Sequence, residues 1–172
     1  MKNFTTKQMI IIALMIAVEI VLTRFLSIQL PTIRIGFGFL PIAVVAMLYG
    51  PVWAGIAAVL GDIIGVTFFS PFGIFPGFTL TALLIGVVYG IFLYKHPKSL
   101  HRTCFAVLIV TIVLQLLLDT YWLQIMTGQG FIAMLPPRVI RTIIMIPIQI
   151  ILIQVIARVI IQVGGKHVNF GN

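Results

Sequence analysis

Glu19, Asp62 and Asp119 are the only acidic residues of a chain that is 61% hydrophobic and 8% charged. All three fall inside apolar runs, where an ionised carboxylate is costly enough to mark a ligand site, an ion path or a buried pair. Four arginines, Arg24, Arg34, Arg138 and Arg141, border the same kind of run. Arg138 and Arg141 are three apart, which places both on one face of a helix. Such cations either receive an anionic ligand or snorkel to lipid phosphates, and convergence from three separate segments favours the ligand. Asp119 has a structural alternative, an ion pair with Arg138 or Arg141. Asp62, in "LGDIIG", has no partner nearby in sequence, which favours ligand binding. Phe37, Phe69, Phe75, Tyr121 and Trp122 crowd the segments that hold the arginines. An interfacial aromatic belt explains such crowding, and so does stacking on a flat ring.

Other chemistries find little support. There is no P-loop, HExxH or GxSxG pattern, so nothing recognisable binds or hydrolyses ATP and no enzyme activity is expected. His96 and His101 bracket "KHPKSLHR" without further ligands at short range, so no metal or other cofactor is expected. Cys104, the single cysteine, excludes an internal disulfide. Three scattered carboxylates do not make the clustered site of a small membrane hydrolase or transferase. No pair of related halves suggests a self-sufficient carrier.

The elements that must position these residues are membrane helices. Apolar runs at 7–23, 37–49, 52–69, 78–94, 103–122 and 138–161 predict an all-α integral membrane protein of six transmembrane helices. The second is short for a crossing, so it sits against protein or draws depth from "LPTIRIGFG". Glu19 interrupts the first run and no cleavage site follows, so it reads as a retained helix rather than a leader. These limits put Arg138 and Arg141 in the first turn of the sixth helix, where free N–H groups favour anions. A single domain is expected over 1–172, with 163–172 flexible.

Placing both termini in the cytoplasm puts Lys2, Lys7, Lys95, Lys98, Arg102, Arg158 and Lys166 inside, seven of the eleven cationic residues. The formal charge of +8 is thus explained by bilayer topology rather than nucleic acid. Ala13 with Ala17, Gly61 with Gly65 and Gly86 with Gly90 have the small-xxx-small spacing that lets helix backbones approach.

In "TTKQMIIIALMIAVEIVLTRFLSIQ", "RIGFGFLPIAVVAMLYGPVWAGIAAVLGDIIG", "FPGFTLTALLIGVVYGIFLYK" and "LPPRVIR" the chain resembles the substrate-binding S-components of bacterial energy-coupling factor (ECF) vitamin transporters, in their folate-binding branch. The resemblance implies a multi-pass cell-membrane protein that captures its vitamin outside and docks on two cytoplasmic ATPases and a membrane coupling subunit. It maps Ala13 and Ala17 onto the face that meets the coupling subunit, and the segment from Phe25 to Gly36 onto a loop that folds over the vitamin. Folate joins a flat pterin to a glutamate with two carboxylates. Arg34, Arg138 and Arg141 would then hold the tail, with Arg24 close by. Asp62 or Asp119 would accept hydrogen bonds from the pterin, and the aromatic residues would sandwich its ring. Another vitamin on the same scaffold is the alternative.

Overall fold

The computed structural model describes residues 6–29, 34–69, 75–96 and 99–164, with backbone alone at 28, 29, 34, 35, 163 and 164. Backbone polar groups in hydrocarbon must be satisfied within their own segment, and the chain does so with helices. They are α1 (Thr6–Arg24), α2 (Phe39–Tyr49), α3 (Pro51–Phe69), α4 (Pro76–Leu93), α5 (Leu100–Thr127) and α6 (Phe131–Gly164). Between α1 and α2, β1 (Ile28–Gln29) and β2 (Arg34–Ile35) pair antiparallel, Ile28 opposite Ile35 and Gln29 opposite Arg34. The segment expected to fold over a ligand is therefore pinned at its base by a short ladder. Its residues 30–33 lie outside those described, as does the tail 165–172.

Among the described residues five helices are long and apolar enough to cross a membrane; α2, with 11 residues, is the exception. At 1.5 Å per residue it covers about 16 Å of a hydrocarbon core about 30 Å thick. It is nonetheless lined with buried side chains, among them Ile42, Val45, Ala46 and Met47, and packs against α1, α3, α4 and α6. Of the two expectations for this helix, shelter by protein is the one realised.

Helix boundaries differ from the sequence reading on both sides of the α5–α6 link and at the end of α6. α5 continues past Trp122 to Thr127 and α6 begins at Phe131, so "QIMTGQGFIAMLPP" is mostly helix and not a loop. The break comes from Gly128, whose left-handed φ of 69° caps α5. Pro136 and Pro137 lie inside α6, where they remove hydrogen bonds only to carbonyls of its opening turn, and the helix runs through them. At its other end α6 reaches Gly164, beyond the expected start of the tail. The middle of α5, Ile109–Leu118, is wound as a π-helix.

Sharp reversals set the direction of each helix. Gly50, at φ 85°, turns α2 directly into Pro51 of α3, and it lies beside Tyr94 at the end of α4. At the opposite end Gly38 abuts Thr23, and Gly77 abuts Trp122. The ends of α1, α3 and α5 thus share one end of the bundle with the starts of α2, α4 and α6. Buried polar pairs fasten α6: the Tyr89 hydroxyl donates to Gln149 Oε1 at 3.1 Å, and Gln154 Nε2 donates to Thr103 Oγ1 at 2.8 Å.

The tightest approach is between α3 and α4. A Cβ on Gly86 would fall on the Ala54 carbonyl and one on Gly90 on the Pro51 backbone, so here glycine spacing does let backbones meet. Gly86→Val is expected to cost about 1–3 kcal/mol by overpacking. In detergent it should lower the thermal midpoint by several degrees, while Gly130→Ala, which meets nothing within 4 Å, should leave it unchanged.

Candidate functional site

The polar residues singled out from the sequence collect at the end of the bundle where α1, α3 and α5 finish. Asp62 lies seven residues before the end of α3 and Asp119 eight before the end of α5. At 1.5 Å per residue both are about 10–12 Å in. Arg138 and Arg141 are seven and ten residues into α6, not in its first turn as the sequence suggested. The free N–H groups of the helix start are accordingly too far away to serve there, and the two arginines act through their own charge.

On the α1 and α3 side, Glu19 is 8% exposed and its carboxylate lies directly on Gly61, where any Cβ would collide with it. One turn on, the Arg24 guanidinium covers Gly65, a Cβ there being 2.9 Å from Nε. The glycine pair of α3 therefore receives side chains of α1 and not a neighbouring backbone, which corrects the sequence reading of that motif. Arg24 is within electrostatic reach of Asp62 and Glu19. Asp62 accepts a hydrogen bond from the Thr79 hydroxyl of α4 at 2.9 Å.

On the α4, α5 and α6 side, Asp119 is within electrostatic reach of Arg138, Arg141 and Asp62, and the Thr81 hydroxyl donates to the Gly77 carbonyl at 3.1 Å. Arg138 Nη1 donates to Thr120 Oγ1 at 2.9 Å, and the Thr120 hydroxyl in turn donates to the Leu116 carbonyl. Trp122 Nε1 donates to Thr81 Oγ1 at 3.2 Å. Asp119 thus lies in the field of both arginines named as its possible partners. By formal charge this side holds two guanidiniums against one carboxylate, while the α1 and α3 side holds one against two. Arg24 Nε, Asp119 Oδ1 and Arg141 Nε are buried and make no hydrogen bond among the described residues, so each keeps capacity for a polar ligand atom.

Aromatic rings flank the band in two groups. Phe25 and Phe69 meet edge to face at 5.4 Å, and Trp122 lies 5.9 Å from Phe75 and 5.2 Å from Tyr121. Phe37 is 36% exposed, in the link into α2. The Arg34 side chain falls outside the described set. Ala13 and Ala17 are exposed on α1, while Ile12 and Glu19 of the same helix are buried. Among the described residues no three His, Cys, Asp or Glu side chains are placed to hold a metal.

Sequence reasoning missed Thr79, Thr81 and Thr120. A threonine in a membrane helix can bond its own preceding turn, as Thr111 does with Val107, so its presence carries no signal of a polar neighbour.

Residues 7–157 match the family model described as "ECF transporter, substrate-specific component". The chain is 46% identical over 145 residues to a folate transporter, FolT, of Clostridium novyi, covering 84% of each chain. It is 34% identical over 151 residues to FolT of Leuconostoc mesenteroides, covering 84% of this chain and 81% of that one. A solved structure of FolT bound with folic acid superposes with a TM-score of 0.85 at 36% identity, covering 90% of this chain and 94% of the other.

Thr120, fully buried, is the acceptor that fixes Arg138. Thr120→Val keeps the shape but removes an acceptor from a charged donor, a loss of about 1.5–3 kcal/mol. A clear drop in thermal midpoint is expected, and an unchanged midpoint would show that this bond does not hold the guanidinium.

Proposed function

The chain belongs to the substrate-specific components of ECF transporters, and on that premise we propose that it is the folate-capturing membrane subunit of an ATP-driven importer. The observation that carries the reading is the band of guanidiniums, carboxylates and rings at one end of the bundle, in a chain whose relatives include folate transporters. Folate asks for both kinds of surface: cations for two carboxylates and stacking faces, with acceptors, for an amino-substituted pterin.

The charge distribution favours an orientation. The surplus cation beside Arg138 and Arg141 suits the glutamate tail, with Arg34 as a further contact from the outer segment. The surplus carboxylate beside Arg24 suits the donors of the pterin edge, and Asp62 is its acceptor in preference to Asp119, which two arginines already face. Phe37, Phe69, Phe75, Tyr121 and Trp122 supply the stacking surface.

Six crossings, with α2 counted as a sheltered one, leave both termini in the cytoplasm and the site at the outer face. The described cations at the opposite end, Lys7, Lys95, Arg102 and Arg158, follow the positive-inside bias in this orientation. The segment through β1 and β2 covers the bound vitamin. The exposed Ala13 and Ala17 offer α1 to the coupling subunit, and ATP hydrolysis takes place in separate partner subunits.

Arg138→Ala and Arg141→Ala should each weaken folate binding on the order of tenfold, the loss of a partly buried charge-assisted contact. They should barely affect a pterin that lacks the glutamate, and equal losses for both ligands would remove these residues from the tail site. Ala13→Trp or Ala17→Trp should abolish uptake in cells while folate binding in detergent persists. Loss of binding itself would make the two alanines internal packing residues.

A further inference from the structure

Glu19 is given no ligand contact in the reading above, yet with Ile12 it is one of the two buried residues of α1. Its carboxylate sits against Gly61 of α3, and a Cβ on Gly38, at the start of α2, would be 3.5 Å from its Oε1. It therefore touches three segments at once: its own helix, α3, and the link that leads from β2 into α2. One turn further along α1, Arg24 covers Gly65, so successive turns of α1 place an acid and then a base over successive small residues of α3. Asp62 lies between those two glycines in sequence, and Arg24 is within electrostatic reach of both carboxylates. A guanidinium at the last residue of a helix, with a long flexible stem, would otherwise sample water and lipid headgroups.

We propose that Glu19 is the positioning residue for Arg24, holding its guanidinium over Gly65 and beside Asp62 so that the anionic side of the site is presented to the ligand in one fixed arrangement. The role of Arg24 toward folate rests on the proposed function; the Glu19 to Arg24 coupling does not. Gly61 is part of the same device. It is small because the carboxylate occupies the space of its side chain, and a methyl group there would push Glu19 aside while leaving its charge in the protein. The adjoining notches fit the scheme: Gly38 receives the Thr23 methyl, and just past the end of α1 the Ser27 side chain lies on Gly36.

The test has two arms on the full-length protein in detergent. The first needs no vitamin: arginines are modified with a guanidine-selective dicarbonyl reagent and the rate at Arg24 is read by peptide mass spectrometry, with Arg138 as the internal reference. Glu19→Gln and, independently, Gly61→Ala should each raise the Arg24 rate several-fold relative to Arg138. No change at Arg24 in either variant, both running as monodisperse protein, would overturn the proposal. The second arm is a double-mutant cycle on folate affinity with Glu19→Gln, Arg24→Gln and the pair. Each single change should weaken binding on the order of tenfold, and the double variant should be no weaker than Arg24→Gln alone. Fully multiplicative losses would show that Glu19 acts on packing in general and overturn the positioning role. A wild-type protein that does not bind folate would sink the proposed function, and the modification arm would still decide the role of Glu19.

Discussion

Charge inside a membrane bundle has to be balanced within reach, because desolvating a single ion costs several kcal/mol and water is not available to offset it. Glu19, Asp62 and Asp119 face Arg24, Arg138 and Arg141 across α1, α3, α5 and α6, and this balance is what that end of the bundle is organised around. At an effective dielectric near 20, a pair about 4 Å apart gains about 4 kcal/mol, comparable with the cost of burying it. The network is therefore close to neutral for stability and strongly directional. It fixes where helices can sit, and it leaves one side surplus in cation and the other surplus in anion.

Packing serves that network differently in the two halves. Toward the end opposite the charges, glycines let α4 lie against the backbone of α3, and Tyr89 with Gln149 and Thr103 with Gln154 tie α6 to its neighbours. Toward the site, glycines of the same spacing make room for the head groups of α1. Thr79 of α4 holds Asp62 of α3, and Thr120 of α5 holds Arg138 of α6, so these two ionised groups are each bonded to a helix besides their own. Two faces of α1 are thereby distinct: a polar one built into the site and an exposed one carrying Ala13 and Ala17.

Much of this was legible in the sequence. Hydropathy placed every helix, and the scarcity of acids made Asp62 and Asp119 conspicuous, because in so apolar a chain a charge has to be explained. Helix ends were harder to read. Pro136 and Pro137 looked like a boundary, and only tertiary packing shows that α6 starts before them, which moves Arg138 and Arg141 away from a helix terminus. The role of Gly61 and Gly65 was invisible for a related reason: spacing reports that something approaches closely, not whether it is a backbone or a side chain. The partner of Asp62 was hidden because Thr79 and Arg24 come from other helices. The short ladder between Ile28 and Ile35 was hidden because two-residue strands have no periodicity to detect.

Membership of the S-component family and likeness to folate transporters are what support the proposal that the polar band receives a flat ring and a doubly negative tail together. Trp122, bonded to Thr81 and in tilted ring contact with Phe75 and Tyr121, stands within that band, and the protein has only one other tryptophan, Trp53. The most direct measurement is a folate titration of the Trp53→Phe protein in detergent, following the fluorescence of Trp122 alone. Saturable quenching with one folate per chain is the result expected. A flat titration, with a different vitamin co-purifying in its place, would contradict folate as the ligand.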